Sequence, residues 1–214
     1  QGQWNRRFVL EVERGQRVEA VLYRGDSLCI SSQVGCAVGC PFCASGAEGL
    51  SRPLALHEMQ GQVSLVQSLG HRVKRVTLSG IGEPLHNHEP CKALLGWCRE
   101  QGIAPSLTTS GGPLTKLQEW LPLAHNGITI SVHAGTEVTR RRLVPKGPKL
   151  DPLFCMLRDT LPELSRRRRK KIALAYLMMR GENDSPQELL AFAERALPLG
   201  LNIHLFAYNE VSGN

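Results

Sequence analysis

Short apolar segments alternate with amphipathic stretches along most of this sequence, and this alternation restricts the fold more than any other feature. The predicted β-strands are Leu28–Ser32, Arg75–Ser79, Ser106–Thr109, Gly127–Val132, Lys171–Met178 and Asn202–Tyr208. The predicted helices between them are Ala55–Leu69, Glu89–Gln101, Leu114–Trp120, Pro152–Leu161 and Ser185–Leu197. Strands that alternate with helices predict an α/β fold, with a parallel sheet and helices packed outside it.

The first 27 residues follow a different pattern. Phe8–Glu13 and Val18–Arg24 alternate apolar and polar side chains, and Arg14-Gly15-Gln16 lies between them. Two alternating segments around a short glycine-containing turn predict a β-hairpin. We therefore expect an N-terminal β-hairpin extension at residues 1–27 and one α/β domain at residues 28–214.

The composition is that of a globular protein, and its basic excess favours a polyanionic partner. Of the 214 residues, 42% are hydrophobic and 21% are charged, which excludes disordered and fibrous chains. The longest apolar runs fall short of the roughly 18 residues of a membrane helix, so we expect no membrane span. The net charge is +7. Two basic runs, Arg140–Arg142 and Arg166–Lys171, would suit RNA phosphates, or equally a solvated surface.

Three cysteines are closely spaced in one loop. Cys36, Cys40 and Cys43 form C-x3-C-x2-C directly after the first predicted strand of the α/β region. Three thiolates from one loop can hold three irons of a [4Fe–4S] cluster. The fourth iron then stays open to a ligand such as S-adenosylmethionine. The alternative is a zinc loop, for which Cys29 or His57 would supply the fourth ligand.

The segment Cys29-Ile30-Ser31-Ser32-Gln33-Val34-Gly35-Cys36 resembles the adenine-methylating RNA methyltransferases of the radical S-adenosylmethionine (SAM) superfamily. Phe42 before the last cysteine and Gly80-Ile81-Gly82-Glu83-Pro84 resemble the superfamily as a whole. Further similar segments are Gly61-Gln62-Val63, Thr108-Thr109-Ser110-Gly111, Ser131-Val132-His133-Ala134, Gly181-Glu182-Asn183-Asp184 and Asn209. The resemblance covers about residues 19–209.

The resemblance implies a fold, two cofactors and the residues that hold them. The fold is a partial (β/α)6 barrel, and the cofactors are a [4Fe–4S] cluster on Cys36, Cys40 and Cys43 and S-adenosylmethionine. Gly82 and Glu83 would bind the amino group of S-adenosylmethionine. The remaining contacts would be Thr108 at the ribose, Ser131, Val132 and His133 along the adenosine, and Asn209 after the last strand.

The resemblance also implies the reaction, which is methylation of adenine carbon 2 in 23S ribosomal RNA, transfer RNA or both, through a 5′-deoxyadenosyl radical. Cys29 matches the cysteine that resolves the covalent RNA adduct through a disulfide, and Glu19 matches the catalytic base. In that family a further cysteine beyond the position of Asn209 carries the methyl group. None of the cysteines of this sequence matches that position, so we expect the methyl-carrying cysteine in a segment beyond Asn214; the alternative is that the protein has lost this activity.

The expected partners follow from the same resemblance. They are RNA and an electron donor such as flavodoxin. We expect the protein in the cytoplasm, because the cluster needs reducing conditions. We also expect a monomer. Two other functions stay open at this point. One is a radical SAM enzyme that acts on a small molecule or peptide, and the other is a non-catalytic RNA-binding protein with a structural cluster or zinc.

Overall fold

A computed structural model describes residues 5–208, and these residues form two compact units. The first unit comprises residues up to 37, 45–108 and 124–126, and the second comprises 38–44, 109–123 and the residues from 127 onward. Within residues 5–208, no helix has both the length and the apolar character that crossing a membrane requires.

The first unit contains seven strands and two helices. In chain order they are β1 (Arg6–Glu11), β2 (Arg17–Tyr23), β3 (Ser27–Ile30), β4 (Gln33–Gly35), β5 (Leu50–Pro53), α1 (Leu56–Ser68), β6 (Arg75–Leu78), α2 (His88–Glu100) and β7 (Ala104–Thr109). The predicted strands and helices of this part are confirmed to within a few residues. The short pair of β4 and β5 was not predicted, because each strand has too few residues to show alternation.

The strands of the first unit lie in the order β1-β2-β3-β6-β7. The predicted N-terminal hairpin is confirmed, because β1 and β2 pair antiparallel, with Leu10 opposite Val18. β2 pairs antiparallel with β3, whereas β3, β6 and β7 run parallel. The carboxyl ends of these three parallel strands therefore meet at one edge, where the following loops carry the predicted site residues.

Both helices of the first unit bury one apolar stripe. In α1 the stripe is Met59, Val63 and Val66, at helical spacing, and all three side chains are fully buried. In α2, Cys91 and Cys98 are fully buried as well. Burial raises the pKa of Cys98 to about 12 and that of Cys91 further, so both thiols stay protonated and serve in packing.

The second unit contains three strands and five helices. In chain order they are α3 (Leu114–Trp120), β8 (Gly127–Ser131), α4 (Glu137–Leu143), α5 (Leu150–Thr160), α6 (Arg166–Arg169), β9 (Ile172–Met178), α7 (Pro186–Ala196) and β10 (Asn202–Ala207). β8, β9 and β10 are neighbours and run parallel. Their carboxyl ends also meet at one edge, at residues 131–133, 178–179 and 207–208.

Two short helices in the second unit were not predicted, because their arginine runs lack an apolar period. Each begins at a side-chain cap. The Thr136 hydroxyl accepts a hydrogen bond from the Thr139 N–H at 3.3 Å at the start of α4. The Ser165 hydroxyl accepts one from the Arg168 N–H at 3.2 Å at the start of α6. The basic run at 166–169 is therefore helical rather than part of a loop.

Candidate functional site

A short β-ribbon fixes the chain as it enters the cysteine loop at Cys36. β4 pairs with β5, and the N–H of Cys36 donates to the carbonyl oxygen of Gly49 at 3.0 Å. Gly35 just before it has a φ of +78°, and a Cβ there would lie 1.9 Å from the same oxygen. Only glycine fits this position, so the sequence folds locally to present Cys36 from the ribbon end.

The rest of the cysteine loop belongs to the second unit. The N–H of Cys43 donates to the carbonyl of Cys40 at 3.1 Å, which closes a tight turn between these two cysteines. Gly39 has a φ of +73°, and the carbonyl of the buried Val38 accepts a hydrogen bond from the Lys146 N–H at 3.3 Å. The loop conformation is therefore set by its glycines and main-chain hydrogen bonds.

The three cysteines of the motif offer the right donors for an iron–sulfur cluster. Cys36, Cys40 and Cys43 are all half-buried residues, and none of them takes part in a disulfide. Among residues 5–208, no three His, Cys, Asp or Glu side chains are gathered around one point as ligands of a single metal ion. A [4Fe–4S] cluster makes a different demand, because each cysteine binds its own iron. The donor set fits that group.

Both candidates for a fourth zinc ligand have other hydrogen-bond partners. The Cys29 sulfur lies 3.0 Å from the hydroxyl oxygen of Ser79, and a ring nitrogen of His57 lies 2.9 Å from a carboxylate oxygen of Glu13. Either residue would have to leave its partner to bind a metal. The structure therefore gives the zinc hypothesis no support at these two positions.

The turn after β6 holds Gly82 and Glu83 against the segment after β3. The carbonyl of Ile81 accepts hydrogen bonds from the N–H groups of Ser32 and Gln33, at 2.9 and 3.1 Å. Gly82 has a φ of +111°, and a Cβ there would lie 2.7 Å from the Ser32 hydroxyl oxygen. The predicted glycine is therefore required by the backbone and by the space around it.

Glu83 is almost fully buried, with 3% of its surface exposed. Its N–H donates to the Gln33 side-chain oxygen at 2.8 Å, and its carboxylate accepts from the Leu85 N–H at 3.2 Å. A buried carboxylate at the carboxyl end of β6 is a strong acceptor, and it can bind a cation that approaches this edge. The geometry fits the predicted contact with an amino group, which stays a prediction.

Strand register places Glu19, Cys29 and Thr108 on one face of the sheet in the first unit. Cys29 on β3 pairs with Val21 on β2, and side chains two residues apart share a face, so Glu19 is a diagonal neighbour of Cys29. Such neighbours have Cα atoms roughly 7–8 Å apart. Thr108 shares the face with Ser106 on β7. The structure thus brings these three predicted residues to one surface, which we call the polar face.

Each residue of the polar face is half-buried rather than sealed in a core. A carboxylate oxygen of Glu19 accepts a hydrogen bond from Arg7 at 3.3 Å in an exposed ion pair. Burial raises the pKa of the Cys29 thiol, and the hydrogen bonds from Ser79 oppose that rise. Cys29 is therefore accessible, and its reactivity depends on its immediate partner.

His133 lies just after β8 and has one defined protonation state. Its Nδ1 accepts a hydrogen bond from the Leu177 N–H at 3.0 Å, so the neutral ring carries its proton on Nε2. Burial and the nearby Arg140 charge lower its pKa to about 3. The Phe42 ring packs edge-on at a centroid distance of 5.5 Å. His133 is therefore a neutral hydrogen-bond donor beside the residue that precedes Cys43.

A buried arginine fixes the main chain at the other predicted residues of this edge. The Arg140 guanidinium donates at 2.8 Å to the carbonyls of both Ser131 and Val132, and at 2.6 Å to that of Ser110. The expectation that Arg140 could contact RNA is wrong, because its side chain is 1% exposed. Its charge is used inside the protein, where it pairs with carbonyls left open after β8.

Asn183 and Glu188 also shape this edge, through contacts distant in sequence. The Asn183 amide donates to the carbonyls of His133 and Leu177, each at 2.8 Å. The Glu188 carboxylate accepts from the Gly135 N–H at 2.7 Å and from two threonine hydroxyls of the same loop. The Ser185 hydroxyl caps α7 by accepting a hydrogen bond from the Glu188 N–H at 3.2 Å, whereas the Glu188 side chain reaches residues 135–139.

A cavity of about 820 Å³ opens next to Phe42 in the second unit. It has the size of a ligand pocket. Its lining residues come from the cysteine loop, α4 and the ends of β9 and β10, and they are Pro41, Phe42, Arg142, Leu143, Met179, Arg180, Glu182 and Tyr208. Sequence reasoning missed Arg180 and Tyr208 as lining residues. The predicted Asn209 lies outside the described residues, directly after Tyr208.

Comparison with known proteins gives a consistent result. A model of the radical SAM superfamily matches residues 30–196. A probable RNA methyltransferase of Rhodopseudomonas palustris is 37% identical over 100% of this chain and 60% of its own length. The dual-specificity RNA methyltransferase RlmN of Sorangium cellulosum is 38% identical over 82% of this chain and 48% of its own length. The chain thus spans about half to three-fifths of these relatives.

Solved structures show the same fold. A radical SAM methyltransferase from Sphaerobacter thermophilus matches 100% of this chain and 67% of its own, with a TM-score of 0.85 and 26% identity. Streptococcus suis SuiB bound to S-adenosylmethionine matches 88% of this chain and 42% of its own, with a TM-score of 0.66. At 17% identity, this second likeness concerns the fold alone. The expected α/β fold is confirmed.

Proposed function

This chain belongs to the radical SAM superfamily, and from that membership we propose that it is part of an enzyme that methylates an adenine of RNA. The segment from Cys29 to Cys36 carries the proposal. Strand β3 holds the Cys29 thiol, and the chain that follows it leads to the first cysteine of the cluster motif. The RNA methyltransferase names of relatives that are 37–38% identical support RNA as the substrate.

Cys36, Cys40 and Cys43 would hold the [4Fe–4S] cluster that members of this superfamily use. When bound, the cluster supplies the electron that cleaves S-adenosylmethionine to a 5′-deoxyadenosyl radical. The chain's own contribution is a loop with glycines at its turns and three half-buried cysteines. Main-chain hydrogen bonds hold the chain at Cys36 and close the turn between Cys40 and Cys43, which supports a defined conformation at each of these positions.

S-adenosylmethionine would lie along the carboxyl ends of the parallel strands. The Glu83 carboxylate would accept hydrogen bonds from its amino group, and the positive φ of Gly82 would shape the turn beside it. Thr108 would bind the ribose. Ser131, Val132 and His133 would lie along the adenosine, where the neutral His133 ring donates from Nε2. Asn209 completes the proposed set.

Cys29 and Glu19 would act on the RNA adduct. Glu19 is a surface carboxylate, and it can take a proton from the adenine ring at neutral pH. Cys29 would resolve the adduct by attacking the sulfur of the methyl-carrying cysteine as a thiolate. The new disulfide would replace the carbon–sulfur bond to the adenine-bound methylene, and the released carbon would take up a proton to become the methyl group. Strand register supports this division of roles, because it sets the two side chains on one accessible face.

Exposed charge on the second unit supports contact with RNA. Arg166 and Arg167 on α6 and Lys170 after it are exposed, and α6 precedes β9, at the amino ends of the strands. In the other basic run, Arg142 is paired with Glu182 at 2.7 Å. We therefore propose that Arg166, Arg167 and Lys170 contact phosphates of the RNA away from the target adenine, because the cofactor is proposed at the carboxyl ends of the strands. A flavodoxin-type electron donor and a cytoplasmic monomer complete the proposal.

The test uses the full gene product, reconstituted with iron and sulfide without oxygen. It is incubated with S-adenosylmethionine, a reductant and unmodified ribosomal and transfer RNA, and mass spectrometry measures 5′-deoxyadenosine and methylated adenosine. We expect both products, with 2-methyladenosine as the isomer, and neither from a Cys40→Ala variant. Formation of 5′-deoxyadenosine without methyladenosine would contradict the RNA substrate and favour a small molecule or peptide.

A further inference from the structure

Among the described residues, the side chain that lies within hydrogen-bond distance of the Cys29 sulfur comes from the turn after the neighbouring strand β6. The sulfur is 3.0 Å from the hydroxyl oxygen of Ser79, the residue that follows β6. Thr77, which pairs with Cys29 in the strand register, is engaged elsewhere. Its hydroxyl lies 2.7 Å from that of Ser106 and 3.5 Å from that of Tyr23. The hydroxyl of Ser79, rather than that of Thr77, is therefore the one positioned to form a hydrogen bond with the Cys29 thiol.

Hydrogen bonds and close packing fix the main chain around Ser79. The Ser79 N–H donates to the carbonyl of Thr77 at 3.0 Å, and the N–H of Gly80 donates to that of Ile30 at 3.0 Å. A Cβ on Gly80 would lie 2.8 Å from the Ile30 carbonyl carbon, so the turn passes close against β3. Ser79 thus keeps its position relative to Cys29 without help from a ligand.

We propose that Ser79 is a positioning residue for Cys29, whose hydroxyl donates a hydrogen bond to the thiolate and fixes the direction of the sulfur. The inference rests on the proposed function, in which Cys29 is the thiol that resolves the RNA adduct. A hydrogen bond to the charged form favours ionisation, and burial disfavours it. Ser79 therefore counteracts part of the effect of burial and favours ionisation of the half-buried thiol.

The strand register identifies the other titratable or charged side chains on the same face as Cys29. Glu19 and Tyr23 on β2 and Arg75 on β6 share its face, and Glu19 is paired with Arg7 on β1. The helix α1 contacts the end of β3 through the neutral Gln62, which bonds to the main chain of Ser31. The two hydrogen bonds that favour the Cys29 thiolate both come from Ser79.

The experiment measures how fast iodoacetamide alkylates Cys29 as a function of pH, in the anaerobically reconstituted protein. Mass spectrometry of the Cys29 peptide gives the rate, and the exposed Cys155 is the internal reference. In Ser79→Ala we expect the midpoint of the profile to rise by about one pH unit and the rate at pH 7 to fall about tenfold. Ser79→Thr, which keeps a hydroxyl, should restore most of the rate.

The matched control is Thr77→Val. It removes a hydroxyl that lies on the same face but has Ser106 and Tyr23, rather than Cys29, as its neighbours. It should leave the alkylation profile unchanged. Equal profiles in wild type and Ser79→Ala would overturn the positioning role, whether or not the protein methylates RNA. A shifted profile in a protein that yields no methyladenosine would support the positioning role and count against the proposed function, so the two failures are distinguishable.

Discussion

Replacing Glu58 by glutamine should destabilise the first unit next to the cysteine loop. The Glu58 carboxylate accepts two hydrogen bonds from the Arg52 guanidinium, each 2.8 Å long. It also accepts one from the Ala55 N–H at 2.8 Å and one from the Glu13 N–H at 3.1 Å. These contacts connect the turn of the N-terminal hairpin with β5 and α1. β5 pairs with β4, the strand that directly precedes Cys36.

The size of the effect follows from the carboxylate's ionisation. The hydrogen bonds from Arg52, opposed by burial, lower the pKa of Glu58 from 4.5 to about 2. A shift of that size corresponds to about 3 kcal/mol of folding free energy. A carboxyl whose pKa is lowered on folding stabilises the protein above its unfolded pKa. This contribution is lost as the pH falls from about 4.5 towards 2.

The assay is thermal unfolding of wild type and Glu58→Gln as a function of pH. At pH 7 a loss of about 3 kcal/mol lowers Tm by roughly 6–12 °C in a chain of this size. The difference should shrink as the pH falls below about 4.5, because wild type loses the same charge. Glu13→Gln is the matched control, since it removes an exposed pair with His57, worth at most about 1 kcal/mol.

A Glu58→Gln variant that unfolds within a degree or two of wild type at pH 7 would refute this reasoning. So would a difference in Tm that stays constant down to pH 2, because the stabilisation would then not come from the ionised carboxylate. Equal losses of Tm in Glu13→Gln and Glu58→Gln would show that the buried, hydrogen-bonded carboxylate of Glu58 stabilises the protein no more than the exposed one of Glu13.

Two further predictions concern the cysteine loop and the RNA surface. Gly35→Ala, which sets a Cβ 1.9 Å from a carbonyl oxygen, should lower the iron bound after reconstitution several-fold, whereas Gly61→Ala, with open space around its Cβ, should not. Equal iron content would contradict the requirement for glycine. Changing Arg166, Arg167 and Lys170 together to Gln should reduce the slope of log K for RNA against log salt by up to about 3, and an unchanged slope would exclude phosphate contact there.

Apolar runs and apolar periods predicted the strands and the long helices, because the buried residues of these elements follow the same patterns. β9 buries five consecutive residues from Ile172, and α1 buries a stripe at helical spacing. The same method missed α4 and α6, since runs of arginine show no apolar period. Their capping residues, Thr136 and Ser165, were the available signals.

The candidate site could be predicted where a short motif carries it, as with the cysteine loop and Gly82-Glu83. The supporting contacts could not be, because they join segments far apart in sequence. Arg140 donates hydrogen bonds to the carbonyls of both Ser110 and Pro148, which lie on either side of it in the sequence. Glu188 holds a loop some 50 residues away rather than completing its own helix cap. No local pattern distinguishes such a buried charge from a surface one.

The most direct test of the central claim is electron paramagnetic resonance of the reduced, reconstituted protein with and without S-adenosylmethionine. If Cys36, Cys40 and Cys43 hold a [4Fe–4S] cluster with one open iron, the protein should contain about four irons per chain. Its spectrum should then change when S-adenosylmethionine is added. Cys40→Ala should lose the signal. One zinc per chain, or a cluster spectrum that S-adenosylmethionine leaves unchanged, would contradict the account.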